Sequence, residues 1–325
     1  MLAFVLSGGG NRGPLEVGAL QVLLEHGIVP DMLVGSSAGA INAAFLAADP
    51  NPETARDLTR LWVQAREEHI FRGNRLTILW RFLTGKDSLH NNKNLQRMVA
   101  ENLPDGFEFF SDVQRVKLYI VATKLETGEA RVFGRNPEDR LLDAIMASTA
   151  LPPFFPPWRY EDELLVDGGI AADLPVAVAV EHGAREVYAL HLVDAPPRAT
   201  QLSGLLNIAE QTINTVLARQ QQLELAESEN LRSLKLHYVP LTGFYGIPLS
   251  DMSQTEQMVE SGRQQMEEYL RAHGGVSEEQ RATSLRATLR TGLRSALRRL
   301  AHLPSARWSL HQKPKDISGS IELGS

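Results

Sequence analysis

The sequence lacks cysteine altogether, and it also lacks long uncharged apolar runs. Without cysteine there can be no disulfides, thiolate nucleophiles or zinc–sulfur sites, and the composition fits a reducing cytoplasm. No apolar run approaches the ~18 residues that a helix needs to cross a bilayer. We therefore expect a cytoplasmic protein, and any membrane contact is expected to be peripheral.

The first residues also lack the features of a secretory signal, and we expect them to be structural. Residues 1–7 carry no basic segment and run directly into glycines, so we interpret them as a first strand. The composition that is present is ordinary, with 43% hydrophobic, 22% charged and 6% aromatic residues, and there is no internal repeat. This predicts a globular protein that is long enough to bury a full core.

The charge is distributed unevenly along the chain. The net charge is −6, but residues 277–325 hold nine Lys and Arg against four Asp and Glu. Within 277–303, leucine recurs every four residues with arginine beside it, which predicts a basic amphipathic helix. Residues 304–325 are rich in Ser, Gly, Pro and charge and are predicted to be disordered.

The basic segment has several candidate roles. Residues 281–308 are a candidate for peripheral contact with an anionic membrane, where each basic residue contributes about 1 kcal/mol. Docking on the acidic remainder of the chain and pairing of subunits are the alternatives, so the oligomeric state stays open. No basic patch with interleaved aromatic residues is present, and we therefore expect no nucleic-acid partner.

Strands and helices alternate along the first 276 residues, which we interpret as one domain. Because several strands are apolar on both faces, the predicted fold class is α/β, with a mainly parallel central sheet flanked by helices. Glycine and proline interrupt residues 71–116, which predicts an insertion of short helices. The predicted strands are 3–8, 32–35, 118–122, 130–133, 164–166, 186–193 and 234–240, and the predicted helices are 14–25, 38–48, 53–70, 138–147, 202–232 and 251–273.

The most informative segment is residues 35–39, Gly-Ser-Ser-Ala-Gly, between a predicted strand and a predicted helix. This is the sequence form of a nucleophile elbow, in which Gly35 and Gly39 permit a tight turn and Ser37 projects from the sheet. The alternative is a plain strand–helix turn whose serine caps the helix.

A second glycine-rich junction covers residues 7–13, Ser-Gly-Gly-Gly-Asn-Arg-Gly. Its spacing is compatible with a dinucleotide loop, but the acidic residue that should follow the second strand is not convincing. The amides of Gly8, Gly9 and Gly10 are better suited to an oxyanion hole, where they would bind developing negative charge. Arg12 could add a fixed positive charge there, or form an ordinary salt bridge.

Asp167 follows a short strand and precedes Gly168 and Gly169. A carboxylate at the carboxyl end of a strand lies at the edge where α/β sheets bind ligands, although Asp-Gly is also a common turn. Nine histidines are present, and His191 follows Ser37 and Asp167 in the order of an α/β-hydrolase triad. It lies inside an apolar strand, however, as does His237, and a core position is the better interpretation of both.

Four sequence blocks together resemble the patatin-like phospholipases: residues 8–13, 35–39, 147–157 and 167–169. The resemblance extends over roughly residues 1–195. It implies a three-layer α/β architecture and a Ser-Asp dyad without histidine, with Ser37 as nucleophile and Asp167 as base. It also implies that Gly8–Gly13 forms the oxyanion hole.

The activity implied by this resemblance is hydrolysis of fatty-acyl esters of phospholipids or lysophospholipids through an acyl-enzyme on Ser37, with no cofactor or metal. One departure is that Asp173 stands where the family often has asparagine; we expect it to cap the following helix, and it could tune Asp167 if it lies near. Two alternatives stay open. One is a non-catalytic protein that binds lipid or acyl groups on the same scaffold, and the other is a nucleotide-binding enzyme that uses Gly8–Gly13.

Overall fold

The computed structural model describes residues 1–67, 90–193, 234–249 and 251–273, with 88, 208, 212, 215, 216, 219 and 220 in addition. These residues belong to one compact unit, Met1–Arg281. Most of the predicted helix over 202–232 lies outside the described residues, as does most of the predicted insertion before 90. The predicted basic helix, its membrane contact and the disordered tail lie outside them entirely.

The described residues form an eight-stranded mixed sheet in the order β5-β6-β3-β2-β1-β7-β8, with β4 paired to β3. Strands β3, β2, β1, β7 and β8 are parallel, whereas β4 and β6 run antiparallel to β3 and β5 runs antiparallel to β6. The strands are β1 (Leu2–Leu6), β2 (Met32–Ser36), β3 (Lys117–Lys124), β4 (Ala130–Phe133), β5 (Trp158–Tyr160), β6 (Glu163–Val166), β7 (Glu186–Leu192) and β8 (Lys235–Leu241).

Helices cover both faces of this sheet and connect its parallel strands. They are α1 (Gly13–Glu25), α2 (Ala38–Leu46), α3 (Pro52–Glu67), α4 (Lys93–Asn102), α5 (Leu141–Ser148), α6 (Gly169–Ala172), α7 (Val176–Glu181) and α8 (Thr255–Ala272). Short 3-10 turns lie at Gly10–Arg12 and Phe110–Asp112. The predicted α/β class and the three-layer arrangement of helices around a central sheet are confirmed.

The two faces of the sheet pack against different helices. Along β1, Phe4 and Leu6 belong to the larger core, which contains α1 to α5 and α8. Ala3 and Val5 point to the opposite face and pack with α7. Because successive side chains of a strand alternate between faces, this arrangement requires the apolar run that the sequence shows at β1.

Most element boundaries agree with the predictions to within a few residues, but the region of β5 and β6 differs. Strand β5 was not predicted, and it forms a hairpin with β6. Strand β6 runs antiparallel to β3 and pairs with it only at Thr123 and Lys124, the last two residues of β3. Because Val166 pairs with Thr123, Asp167 lies near the carboxyl end of β3, at the edge where it was expected.

Candidate active site

Ser37 lies at the turn between β2 and α2, and its backbone has the strained conformation of a nucleophile elbow. Its φ is 52° and its ψ is −118°, in the left-handed half of the backbone map that side-chain-bearing residues rarely adopt. A Cβ atom on Gly35 would overlap the carbonyl of Gly39, and one on Gly39 would overlap the carbonyl of Leu6. The two glycines are therefore required because backbone approaches backbone at this turn.

Asp167 lies directly beside this serine. The Ser37 hydroxyl donates a hydrogen bond of 2.7 Å to Asp167 Oδ2, across 130 positions of sequence. The other carboxylate oxygen, Oδ1, accepts the N–H of Gly169 at 2.9 Å. A Cβ on Gly168 would overlap the carbonyl of Val121, so this turn also permits a close backbone approach. The dyad predicted from the sequence is thus in hydrogen-bond contact.

The environment of Asp167 changes its acidity. Its side chain is buried, with only 2% of the residue exposed. Burial raises the pKa of Asp167 to about 6, against the smaller opposing effects of the hydrogen bonds from Ser37 and Gly169. A carboxylate with this pKa is a better proton acceptor than an exposed aspartate and remains ionised at neutral pH.

The glycine-rich loop enters the same edge of the sheet from β1, beside the end of β2. The N–H of Gly8 donates to the carbonyl of Asp173 at 3.1 Å, so this amide is already used. Over the described ranges, no acceptor faces the N–H of Gly9 or Gly10. The Arg12 guanidinium donates to the carbonyls of Leu192 and Val193 at the end of β7. The predicted role of Arg12 in the oxyanion hole stays a prediction.

Two further expectations about side chains meet different outcomes. Helix α7 begins after Pro175, so Asp173 lies two positions before the N-cap residue, and its expected capping role stays a prediction. Asp173 is buried, and its carboxylate lies against Gly8. His191 bonds through Nδ1 to the Tyr238 hydroxyl at 2.6 Å, in agreement with a core position.

A largely apolar cavity opens onto the dyad. The space between its walls is about 560 Å³ when the open mouth is included. Ser37 and Asp167 lie on its wall, together with Gly10 of the loop. The rest of its lining is dominated by apolar side chains that include Ile41, Leu61, Trp62, Met98, Phe155 and Met252. Such a cavity favours a hydrocarbon chain over a polar ligand.

Comparison with known proteins agrees with this geometry. A family model described as patatin-like phospholipase matches residues 4–180, more than half of the chain. The chain belongs to the patatin-like phospholipase family.

The following relatives and solved structure share less than 30% sequence identity with this chain. The uncharacterized protein YqhO of Bacillus subtilis is 28% identical over 191 residues, which cover 53% of this chain and 64% of that protein. Lysophospholipase NTE1 of Meyerozyma guilliermondii is 26% identical over 214 residues, which cover 62% of this chain and 13% of that protein. The chain therefore spans less than two thirds of either relative's length. The crystal structure of VipD from Legionella pneumophila covers 84% of this chain and 67% of its own, with 17% identity and a TM-score of 0.44.

The patatin-like match ends inside α7. Residues that follow the match along the chain contribute to the sheet and to the cavity wall. Strands β7 and β8 extend the sheet, and Met252, just before α8, lies on the cavity wall. No helix in the described part of this family member is both long enough and apolar enough to span a bilayer.

Sequence reasoning missed one residue that connects the two halves of the dyad. Ser148, at the end of α5, accepts the N–H of Ser37 at 2.9 Å and donates its hydroxyl to the carbonyl of Val121 at 2.6 Å. Its own carbonyl accepts the N–H of Gly168. Ser148 falls in residues 147–157, a block that resembles the patatin-like phospholipases but whose sequence indicates no role for this serine. That membership was the only available signal.

Proposed function

We propose that this protein is a serine acyl hydrolase that cleaves fatty-acyl ester bonds of phospholipids or lysophospholipids through an acyl-enzyme on Ser37. The observation that carries the proposal is the 2.7 Å hydrogen bond from the Ser37 hydroxyl to Asp167 at the wall of an apolar cavity. Family membership and the name lysophospholipase carried by one relative support a lipid ester as the substrate class.

The first half-reaction transfers the acyl group to the enzyme. Ser37 Oγ attacks the ester carbonyl while its proton passes to Asp167 Oδ2, and the carbonyl π electrons move to oxygen. The N–H groups of Gly9 and Gly10 are the candidate donors to this oxyanion, and Gly8 positions them through its bond to Asp173. When the intermediate collapses, the ester C–O bond breaks and the departing alcohol takes the proton from Asp167.

The second half-reaction releases the fatty acid. A water molecule takes the place of the alcohol and gives a proton to Asp167 as its oxygen attacks the acyl carbonyl. Collapse of this second intermediate breaks the bond to Ser37 Oγ, which recovers the proton from Asp167. A pKa of about 6 suits both directions of this transfer, because the group is ionised before attack and is acidic enough to protonate an alkoxide.

The alternative function is non-catalytic binding of lipid or acyl groups in the same cavity. A dyad in hydrogen-bond contact favours hydrolysis, because a binding protein needs no base beside the serine.

The peripheral membrane contact proposed for residues 281–308 is independent of the reaction at Ser37. It is tested by comparing vesicle binding of the full chain and of a chain ending at residue 276.

Covalent labelling tests the hydrolase proposal directly. We expect a fluorophosphonate to modify Ser37, as located by mass spectrometry, and Ser37→Ala to abolish labelling and to lower ester hydrolysis by roughly 10⁴-fold or more. Ser36→Ala is the matched control, because Ser36 is the neighbouring buried serine. Saturable lipid binding without labelling or hydrolysis would support the binding protein instead.

A further inference from the structure

Asn11, inside the glycine-rich loop, holds a distant segment against the active site. It is buried, with 5% exposure, and its side-chain amide donates to the carbonyl of Pro248 at 2.9 Å and to the carbonyl of Asp251 at 2.7 Å. An asparagine amide has two N–H groups, so both of its donors are spent on this one segment. Neither the sequence motif nor the predicted dyad requires these bonds.

The clamped segment places Leu249 over the loop. A Cβ on Gly10 would overlap Leu249 Cδ1, which means that the leucine methyl group packs directly on the Gly10 backbone. Leu249 and Ser37 both line the cavity. The Gly10 N–H is a candidate oxyanion donor, so an ester whose carbonyl oxygen accepted from it would bring the first carbons of its acyl chain close to Leu249.

Further bonds fix the shape of this segment. The N–H of Asp251 donates to the carbonyl of Pro248 at 2.8 Å, which closes a turn. The buried hydroxyl of Thr255, at the start of α8, donates to the carbonyl of Met252 at 2.8 Å. The segment lies beyond the patatin-like match, so this wall is built by a part of the chain that the family pattern does not specify.

We propose that Leu249, held in place by Asn11, is a specificity-determining residue that selects acyl groups unbranched next to the carbonyl. The inference deepens the proposed function and rests on it. Asn11 is a positioning residue, because it acts through the segment and does not touch the acyl chain. A branch at the carbon next to the carbonyl would occupy the space that the leucine side chain fills.

Two isomeric esters test this proposal. p-Nitrophenyl octanoate and p-nitrophenyl 2-ethylhexanoate have the same atoms but differ in branching beside the carbonyl. We expect Leu249→Ala to shift the ratio of their kcat/KM values toward the branched ester by roughly tenfold or more. Asn11→Asp, which sets carboxylate oxygens against two carbonyl oxygens, should shift the ratio in the same direction. A merely structural defect would lower hydrolysis of both esters together.

Leu125→Ala and Asn136→Asp are matched controls at exposed turn positions, and we expect them to leave the ratio unchanged. An unchanged ratio in folded Leu249→Ala would overturn the proposal, whatever the fate of Asn11→Asp. If the native chain neither hydrolyses esters nor reacts with a fluorophosphonate, the proposed function fails separately. In that case the inference is tested by displacing a fluorescent fatty acid from Ser37→Ala protein, with and without Leu249→Ala, by octanoate and by 2-ethylhexanoate. A preference between the two acids that Leu249→Ala leaves unchanged would overturn the inference.

Discussion

Two strand-to-helix junctions lie side by side at the carboxyl ends of β1 and β2, and they use glycine differently. In the β1–α1 loop, Gly10 itself takes the left-handed conformation, with a φ of 58°. In the β2–α2 elbow, the left-handed residue is Ser37, which carries the side chain, and the flanking glycines only make room for backbone. The loop therefore exposes backbone amides, whereas the elbow exposes a hydroxyl.

Hydrogen bonding separates the two junctions further. The elbow is tied on both sides, since the N–H of Ser37 donates to Ser148 Oγ and the N–H of Gly39 donates to the carbonyl of Ser7. In the loop, the N–H groups of Gly9 and Gly10 meet no acceptor in the described part of the chain. The two similar turns therefore differ in which backbone amides are hydrogen-bonded, and this difference suits one turn to hold a serine and the other to donate to a ligand.

The largest loss of activity is expected from a substitution of Asp167, the proposed base that contacts Ser37 in the elbow. Asp167→Asn keeps the shape, because its amide oxygen can accept from Gly169 and its N–H can donate to Ser37 Oγ, but it removes the proton acceptor. We expect kcat to fall by roughly 10⁴-fold, as for loss of a triad carboxylate. In the native protein, kcat/KM should rise with pH through about 6 and level off above it, because Asp167 must be ionised to act as base.

The same variant should gain stability. The pKa of Asp167 is raised from its ordinary value of 3.8 to about 6 in the folded protein, so the native protein loses stability as pH rises from about 4 to 6, by up to about 3 kcal/mol. Asp167→Asn removes this penalty, and urea unfolding at pH 8 and at pH 4 should show the gain only at pH 8. Glu16→Gln is a matched control, because burial also raises the pKa of Glu16. It removes a buried carboxylate outside the dyad, so it separates the effect on stability from the effect on turnover. Retained turnover in Asp167→Asn would exclude the dyad.

Replacing one glycine of each junction by alanine tests whether the two junctions use glycine differently. In Gly39→Ala, the new Cβ meets the Leu6 carbonyl, a backbone atom that cannot move aside, and we expect about 3 kcal/mol of destabilisation or failure to fold. In Gly10→Ala, the Cβ meets the end of a leucine side chain, and the left-handed backbone costs about 1 to 2 kcal/mol.

Gly10→Ala should therefore fold, yet lose about 10- to 100-fold in kcat because its N–H shifts away from the oxyanion. Thermal unfolding and ester kinetics measured on both variants give the two readouts. Gly128→Ala controls for the left-handed backbone alone, since that glycine has a φ of 75° and open space around it. Full kcat in Gly10→Ala would remove Gly10 from the oxyanion hole.

The sequence predicted the parts of the site that local pattern or family resemblance encodes. Residues 35–39 could be recognised because a nucleophile elbow is a contiguous turn, and the pairing of Ser37 with Asp167 followed from the resemblance. The antiparallel course of β6 could not be predicted, because its register depends on the hairpin with β5 and on only two pairs with β3. The position of the Asp173 carboxylate against Gly8 could not be predicted either, because it depends on tertiary packing.

Residues that act through long-range contacts were beyond the reach of sequence. Asn11 is separated from the carbonyls that it binds by 237 and 240 positions. Ser148 meets the Ser37 backbone across 111 positions. No periodicity or spacing records such a contact, because an asparagine or serine side chain can serve many partners equally well.

The smallest of these effects is expected at Ser148, which supports the elbow without touching substrate. Ser148→Ala leaves two buried backbone groups without their partner, the N–H of Ser37 and the carbonyl of Val121. We expect a loss of about 1 to 3 kcal/mol in the free energy of unfolding. The elbow can then relax, and kcat should fall by roughly tenfold with little change in KM, because the cavity wall is untouched.

Ser88→Ala is the matched control, since Ser88 is also buried and donates at 2.6 Å to a backbone carbonyl, that of His90, two positions along the chain. Both variants should lose stability, but only Ser148→Ala should also slow fluorophosphonate labelling of Ser37 in proportion to kcat. Equal labelling rates in the two variants would mean that the Ser37 backbone conformation is held by β2 and α2 alone. Slower labelling in Ser148→Ala only would establish that the rigidity of the elbow, in contrast to the open loop beside it, depends on a third segment of the chain.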